Sequence, residues 1–218
     1  ALIRGWRTAW DSPAAPFYFV QLAPFNYSAW DKFPAWLTPE GLPLFREAQT
    51  RVLHLPCTGM VVTTDLAGDA TDIHPVDKAP IGRRLAHLAL AEVHAREIEE
   101  PRSPRFKKAE FLRDGRVRIH FFNTGDKLQK SDPHPLSHFS IAGINREFVP
   151  ATAWISGEDT VTVSSSLVRE PAAVRFAWHE TASPNLVNRS GLPAVPFRTD
   201  DWPVRNTRPK TPDTEEKK

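Results

Sequence analysis

Residues 59–90, GMVVTTDLAGDATDIHPVDKAPIGRRLAHLAL, carry the strongest local pattern in the sequence. Its first eight residues, 59–66, form a short apolar run of the kind that is typical of a buried β-strand. A loop that contains His74 follows, and residues 78–97 then show helical spacing of their apolar side chains. Pro80 falls in the first turn of this helix, where a missing N–H costs little. The order of strand, loop and helix predicts part of an α/β unit, with His74 beyond the carboxyl end of the strand.

The residues before this stretch repeat the same order. Residues 1–10 have the pattern of an amphipathic helix, and the proline-bracketed apolar run at 16–25 is typical of a strand buried on both faces. Residues 38–53 predict a second helix, with an apolar face formed by Leu44, Ala48 and Val52. Alternating strands and helices predict a parallel sheet with crossover helices for the first hundred residues.

The pattern changes after the break at residues 99–105. Residues 116–121 alternate polar and apolar side chains with the period of a half-buried strand, and 159–163 and 173–178 repeat that period. Asp114-Gly115 predicts a hairpin turn. No helical pattern intervenes, so residues 104–203 are predicted to form an antiparallel β-sandwich or jelly roll.

Composition limits the class of protein. The 218 residues are 40% hydrophobic and 25% charged, which is ordinary for a soluble globular protein. The net charge of +2 gives no reason to expect nucleic acid as a partner, and no apolar run approaches the roughly 18 residues that a membrane span needs. The single cysteine, Cys57, is predicted to be a buried small hydrophobe rather than a nucleophile. Residues 204–218 are polar and proline-spaced and predict a disordered tail.

The loop between strand and helix carries the candidate chemistry. The imidazole of His74 can exchange a proton near neutral pH, and Asp69 and Asp72 lie close to it in sequence. In a serine hydrolase a histidine takes the proton of the nucleophile while a carboxylate holds its other N–H. The alternative is that both aspartates are turn residues that bind their own backbone.

Three further polar residues lie where they could reach a cleft at this sheet edge, namely Gln21, Arg46 and Gln49. Their alternative role is structural hydrogen bonding or exposure on the helix surface. No metal or cofactor is predicted, because the other histidines of this region lie on expected helices without ligand spacing.

Residues 68–90 closely resemble the catalytic-histidine segment of the sialate O-acetylesterases, a branch of the SGNH (GDSL-like) hydrolases. That segment has the form Gly-Asp, a short gap, Asp-Ile-His-Pro, a lysine, and a Gly-Arg-Arg-Leu-Ala helix. Agreement extends over most of residues 1–203, through these stretches: LIRGWRTAW, PFYFVQLAPF, LFREAQ, TGMVVTTDL and AVRFAWHETASPNLVNRSGLPAVPFRTDDWP.

The resemblance implies a fold and a catalytic base. Residues 1–98 would be the C-terminal half of an SGNH-type, flavodoxin-like domain with a parallel sheet, followed by the β-sandwich. His74 would be the base. The broader superfamily has an aspartate three residues before the histidine, where this chain has Thr71, so Asp72 or Asp69 would be the partner. Asp72 is favoured as the nearer; a backbone carbonyl is the remaining alternative.

The family's nucleophile is absent from this sequence. The serine of that family lies in a Gly-Gln-Ser-Asn or Gly-Asp-Ser context, and neither occurs here; nor does a Gly-x-Ser-x-Gly elbow. In full-length relatives these motifs precede the stretch matched by residues 1–10. The resemblance therefore implies that the missing N-terminal half of the catalytic domain supplies the serine and the oxyanion hole. This chain alone is expected to be inactive.

The expected function is part of a periplasmic or extracellular esterase that removes acetyl groups from O-acetylated sialic acid or a related carbohydrate. One alternative is an esterase for another acetylated glycan such as xylan. A second is a non-catalytic carbohydrate-binding or structural β-module within residues 104–203. In that module an exposed aromatic ring, of Trp154, Trp178 or Trp202, would stack on sugars.

Overall fold

The computed structural model describes residues 1–34, 37–66, 68–74 and 76–204. Within these ranges the chain forms three α-helices and twelve β-strands. The predicted disordered tail lies outside the described residues except for Val204. No helix in the described ranges combines the length and the apolar character that crossing a bilayer requires.

The first part of the chain is built around two parallel strands. Its elements are α1 (Leu2–Ala9), β1 (Phe17–Val20), α2 (Gly41–Arg51), β2 (Thr58–Val61) and α3 (Ala79–Glu92). β1 and β2 pair in parallel, in a register that runs from Phe17 opposite Thr58 to Val20 opposite Val61. α3 contacts both strands and has a proline in its first turn. The predicted alternation of strands and helices is confirmed for these elements.

Burial differs from the sequence prediction in two of these elements. β2 is buried along its whole length, but every residue of β1 is only half-buried, so the prediction of burial on both faces was wrong. On α2 the buried residues are Leu42, Pro43 and Arg46, whereas Ala48 is exposed. Apolar periodicity missed this face because a charged residue occupies its centre.

Cys57 is exposed, so the prediction that it is a buried hydrophobe was also wrong. It has a φ of +55° and lies in the turn directly before β2. The buried apolar run begins one residue later, at Thr58.

The rest of the described chain is antiparallel. Its strands are β3 (Arg105–Phe111), β4 (Val117–Phe122), β5 (Leu128–Lys130), β6 (Phe139–Ala142), β7 (Val149–Pro150), β8 (Thr152–Ile155), β9 (Thr160–Ser164), β10 (Ala173–Phe176), β11 (Leu186–Asn188) and β12 (Phe197–Arg198). They form two four-stranded sheets, β3-β4-β9-β8 and β12-β10-β6-β7, and a two-stranded sheet, β11-β5. Asp114 and Gly115 lie in the turn between β3 and β4, as predicted.

A single hydrophobic core draws on both four-stranded sheets. Ile119 and Val161 enter it from one sheet, and Ile141 and Phe176 from the other. The predicted antiparallel fold is confirmed, and two sheets on one core fit the predicted sandwich; the jelly-roll connectivity stays a prediction.

The alternating pattern of β9 and β10 predicted half-buried strands, and this prediction was wrong. All residues of β10 and all but the last of β9 are buried. Their polar side chains are covered by other polar groups. Thr162, for example, donates its hydroxyl to Ser156 Oγ at 2.8 Å. Two strands that alternate in sequence are therefore interior on both faces.

Contacts join the parallel and antiparallel parts of the chain. Glu47 on α2 receives two hydrogen bonds from Arg198, from Nε at 3.0 Å and from Nη2 at 3.1 Å. Met60 and Val62 share a small buried cluster with Val195. The predicted division into domains of residues 1–98 and 104–203 stays a prediction, and these contacts cross its boundary.

Candidate functional site

A cavity of about 360 Å³ lies beside His74. Its wall combines the loop after β1 with the loop after β2, and the lining residues are Phe25, Asn26, Ala29, Trp30, Thr71, Asp72, Ile73 and His74. Both loops leave the carboxyl ends of parallel strands, which is the edge where ligands bind in open α/β sheets. The volume lies within the range of about 300–1,000 Å³ that is common for small-molecule sites.

His74 and Asp72 are adjacent in this cavity. Asp72 Oδ1 accepts a hydrogen bond from the His74 backbone N–H at 2.8 Å. The same oxygen lies 3.4 Å from His74 Nδ1, slightly beyond an ordinary hydrogen bond. The His74 side chain is 82% exposed.

Asp69 makes the same turn contact in this loop as Asp72 does. Its Oδ1 accepts the Thr71 backbone N–H at 2.9 Å, and this hydrogen bond lowers the pKa of the Asp69 carboxyl. Both aspartates therefore accept the backbone N–H two residues further on, as the structural alternative describes. Asp72 differs in that its carboxylate also lies near the His74 ring.

Aromatic rings form one side of the cavity. Phe25 packs edge-on against Tyr27 and Trp30, with centroid separations of 4.8 and 5.3 Å, and Phe33 closes the cluster against Trp30 at 5.5 Å. Trp30 is 37% exposed, so part of its ring is available to a ligand. Such a ring can pack against the C–H face of a sugar or against an acyl group.

A buried carboxylate from the antiparallel part of the chain holds this aromatic loop. Glu180 is fully buried and accepts hydrogen bonds from the Ser28 backbone N–H at 3.0 Å and from the Ser28 hydroxyl. The Glu180 carbonyl accepts the Phe25 N–H at 3.1 Å, and the Asn26 N–H reaches the Ala70 carbonyl at 2.9 Å. Glu180 thus fixes one loop of the cavity, which in turn is bonded to the loop of His74.

The three other predicted site residues lie elsewhere. Gln49 binds the end of β1 by accepting the Leu22 N–H at 3.1 Å and donating to the Val20 carbonyl at 3.2 Å. Gln21 and Arg46 are buried between β1 and α2, with 1% and 0% of their surfaces exposed. These residues do not line the cavity beside His74, and their contacts fit the structural alternative.

Arg46 is an unusual interior residue. Its Nε donates to the Leu22 carbonyl at 2.9 Å, while Nη1 and Nη2 have no hydrogen-bond partner among the described residues. Burial lowers the pKa of the guanidinium to about 10. The protein therefore keeps a poorly compensated charge under the loop that follows β1.

The sequence prediction missed Phe25, Trp30 and Glu180. The aromatic residues were present in a proline-rich loop, but no local pattern connects that loop to His74. Glu180 lies in the family-like stretch WHETASP, yet its partner Ser28 is 152 residues away in sequence. Only the packing of the antiparallel part of the chain against the loop after β1 brings Glu180 to Ser28.

Among the described residues, neither a nucleophile nor a metal ligand set accompanies His74. No serine hydroxyl or cysteine thiol of the described chain is hydrogen-bonded to the His74 ring, and Ser28 in the neighbouring loop gives its hydroxyl to Glu180. Across the residues that the structure describes, no three His, Cys, Asp or Glu side chains are grouped so as to hold a metal ion.

Comparison with solved structures shows a likeness to a carbohydrate acetylesterase. No protein-family model matches the chain, and no curated protein matches it. The chain is similar to the crystal structure of a carbohydrate acetylesterase from Xanthomonas citri, with 39% sequence identity and a TM-score of 0.82. The match covers 92% of this chain and 44% of that one, so this chain spans less than half the length of its structural relative.

Proposed function

We propose that this chain supplies the histidine side of the active site of a serine-dependent carbohydrate acetylesterase. The observation that carries the proposal is the pairing of His74 with Asp72 in a cavity at the carboxyl edge of β1 and β2. The likeness to the Xanthomonas acetylesterase supports the same reaction class.

In the proposed mechanism His74 acts as general base. It removes the proton of a serine that attacks the acetyl carbonyl, and Asp72 stabilises the imidazolium that forms. The imidazolium then protonates the departing sugar oxygen, leaving an acetyl-enzyme. Water, activated by the same histidine, releases acetate and frees the serine. The serine and the oxyanion donors would come from a segment outside these 218 residues, since more than half of the similar chain lies outside the match.

Two classes of acetylated carbohydrate are candidate substrates. The charged or ionisable residues that line the described wall of the cavity are Asp72 and His74. Lys32 lies beside this wall, with Nζ 5.0 Å from the centroid of the Trp30 ring. One class is a neutral acetylated glycan such as xylan, and the other is O-acetylated sialic acid, which rests on the motif resemblance.

A chimera provides the test of the catalytic role. In it this chain replaces the matched 44% of the Xanthomonas esterase, which supplies the remainder. The chimera should hydrolyse p-nitrophenyl acetate, and His74→Ala should lower kcat by about 10⁶-fold. Asp72→Asn should lower it more than Asp69→Asn does, since Asp69 binds only its own turn. A folded, active chimera that is indifferent to His74→Ala would refute the proposal.

Activity and labelling assays of the chain by itself provide a second, independent test of where the nucleophile lies. It should neither hydrolyse p-nitrophenyl acetate above buffer nor react with a fluorophosphonate that labels activated serines. Labelling that disappears in His74→Ala would show that the nucleophile lies within the chain. Acetate release from acetylxylan and from O-acetylated sialic acid by the chimera then decides between the two substrates.

A further inference from the structure

A second cavity, of about 500 Å³, lies where the loop between β6 and β7 meets the segment after β12. Its lining residues are Glu40, Asn145, Arg146, Glu147, Phe148, Arg175, Trp202 and Pro203. It shares no lining residue with the cavity beside His74.

The cavity distinguishes Trp202 from the two other tryptophans considered for sugar stacking. Trp178 is only 8% exposed. Trp154 is 39% exposed on the edge strand β8. Trp202 is half-buried, and it is the one of the three that lines this concave site.

The base of the cavity is held rigidly. Arg175 donates to Glu40 Oε1 at 2.7 Å and makes two 2.9 Å hydrogen bonds to Asp200. Its guanidinium also lies 4.0 Å from the centroid of Phe148. Asp200 accepts the Trp202 backbone N–H at 3.2 Å, so one network positions both aromatic rings.

The rim of the cavity offers planar polar groups beside an aromatic ring. Asn145 donates to Glu147 Oε2 at 3.2 Å. The Trp202 ring packs against Phe148 with a centroid separation of 5.8 Å, and the exposed guanidinium of Arg146 lies over it at 5.3 Å, so a sugar that stacks on Trp202 would displace Arg146. All three rim side chains belong to exposed residues. Amide, carboxylate and guanidinium groups can bind pairs of sugar hydroxyls, while the aromatic ring packs on the C–H face.

Charge identifies the class of ligand. The lining contains two arginines and two glutamates, so its formal charges balance. Complementarity then favours an uncharged polar ligand over an anionic or a cationic one. A neutral sugar residue has the required combination of hydroxyl groups and an apolar face.

We propose that this cavity is a glycan-binding subsite that holds a neutral, unacetylated sugar residue on Trp202. Its contribution to catalysis rests on the proposed esterase function, because it would anchor the glycan while an acetylated residue reaches His74. Sugar binding at Trp202 does not itself depend on His74.

Titration of the whole chain with xylohexaose, cellohexaose and hexagalacturonate, followed by NMR of the tryptophan indole N–H groups, tests the subsite. A neutral hexasaccharide should shift the Trp202 signal, and Trp202→Ala should weaken its binding at least tenfold. Trp154→Ala is the matched control and should bind as the parent does. His74→Ala should also bind normally, so that failure of the esterase proposal remains distinguishable from failure of this one.

The rim provides a variant that preserves the fold. Glu147→Ala changes an exposed side chain and should weaken binding at least threefold without altering the thermal midpoint. The subsite is refuted by the absence of binding to both neutral hexasaccharides, by equal losses in Trp202→Ala and Trp154→Ala, or by tighter binding of hexagalacturonate.

Discussion

Arg46 is the residue whose interior position has the clearest energetic consequence. Its guanidinium is fully buried and two of its nitrogens lack acceptors within the described ranges. Replacing an under-compensated buried charge by an apolar side chain of similar length often stabilises a protein. Arg46→Met should therefore raise the free energy of unfolding by about 1–3 kcal/mol, measured by urea denaturation.

Arg51→Met is the matched control for that prediction. Arg51 lies on the same helix, its side chain is 68% exposed, and it pairs with Glu47 one turn away. Its replacement should change the unfolding free energy by less than about 0.5 kcal/mol. A loss of more than about 1 kcal/mol in Arg46→Met would show that the buried guanidinium is compensated after all.

The Asp132 carboxyl should make the stability of the folded protein depend on pH in the acid range. Its Oδ1 accepts a hydrogen bond from Asn185 Nδ2 at 2.9 Å, and this bond is the main reason that the pKa of Asp132 is lowered. A carboxyl whose pKa is lower in the folded state stabilises the protein above its unfolded pKa of about 3.9, and that contribution disappears as the pH falls through the folded pKa.

Asp132→Asn should therefore lose less stability than the parent when the pH falls from 5 to 2.5. Thermal midpoints recorded across this range measure the difference. Asp126→Asn, which changes a side chain that is 91% exposed, should follow the parent curve. Parallel curves for the parent and Asp132→Asn would contradict the proposed linkage.

At the scale of elements, the β3–β4 hairpin depends on one glycine. Gly115 has a φ of +80°, and a Cβ at this position would lie 2.7 Å from the Arg169 carbonyl oxygen. Gly115→Ala should destabilise the protein by about 1–3 kcal/mol, because it combines an unfavourable backbone conformation with a backbone clash.

Gly82 in α3 provides the opposite case. An added Cβ there meets nothing within 4 Å, and the residue lies inside a helix. Gly82→Ala should stabilise the protein by about 0.5–1 kcal/mol. Denaturant unfolding of Gly115→Ala and Gly82→Ala measures the change in the free energy of unfolding. Equal changes in the two variants would contradict both predictions.

At the scale of the whole molecule, Glu180 connects the antiparallel region with the cavity wall. Removing its charge weakens the hydrogen bonds to Ser28, and charge-assisted bonds of this kind contribute about 1.5–3 kcal/mol each. Glu180→Gln should accelerate amide hydrogen exchange in residues 25–33 about tenfold or more, since 1.4 kcal/mol corresponds to a factor of ten.

Amide exchange in distant strands provides the control for Glu180→Gln. β4 and β9 belong to the sheet β3-β4-β9-β8, and their amide hydrogens should exchange as in the parent. Glu147→Gln, which changes an exposed glutamate, should leave residues 25–33 unaffected. Faster exchange throughout the molecule would mean that Glu180 supports global stability rather than the wall of the cavity.

The sequence predicted elements with a strong local signal. The apolar run of β2, the helical spacing of α3 and the Asp114-Gly115 turn each require only neighbouring residues, and each is present in the structure. Burial was predicted less well. The spacing of apolar residues does not reveal where a polar side chain is buried, as Arg46 is on α2 and Thr162 is on β9.

The sequence by itself determined the order of strands and helices, the antiparallel character of residues 104–203 and the position of His74 beyond β2. The nearness of Asp72 to His74 is also local, because they lie two positions apart in sequence. Packing of distant segments places Trp30 at the same cavity and brings Glu180 to Ser28. Secondary structure follows from backbone preferences and side-chain spacing over a few residues, whereas a site forms where segments distant in sequence pack together.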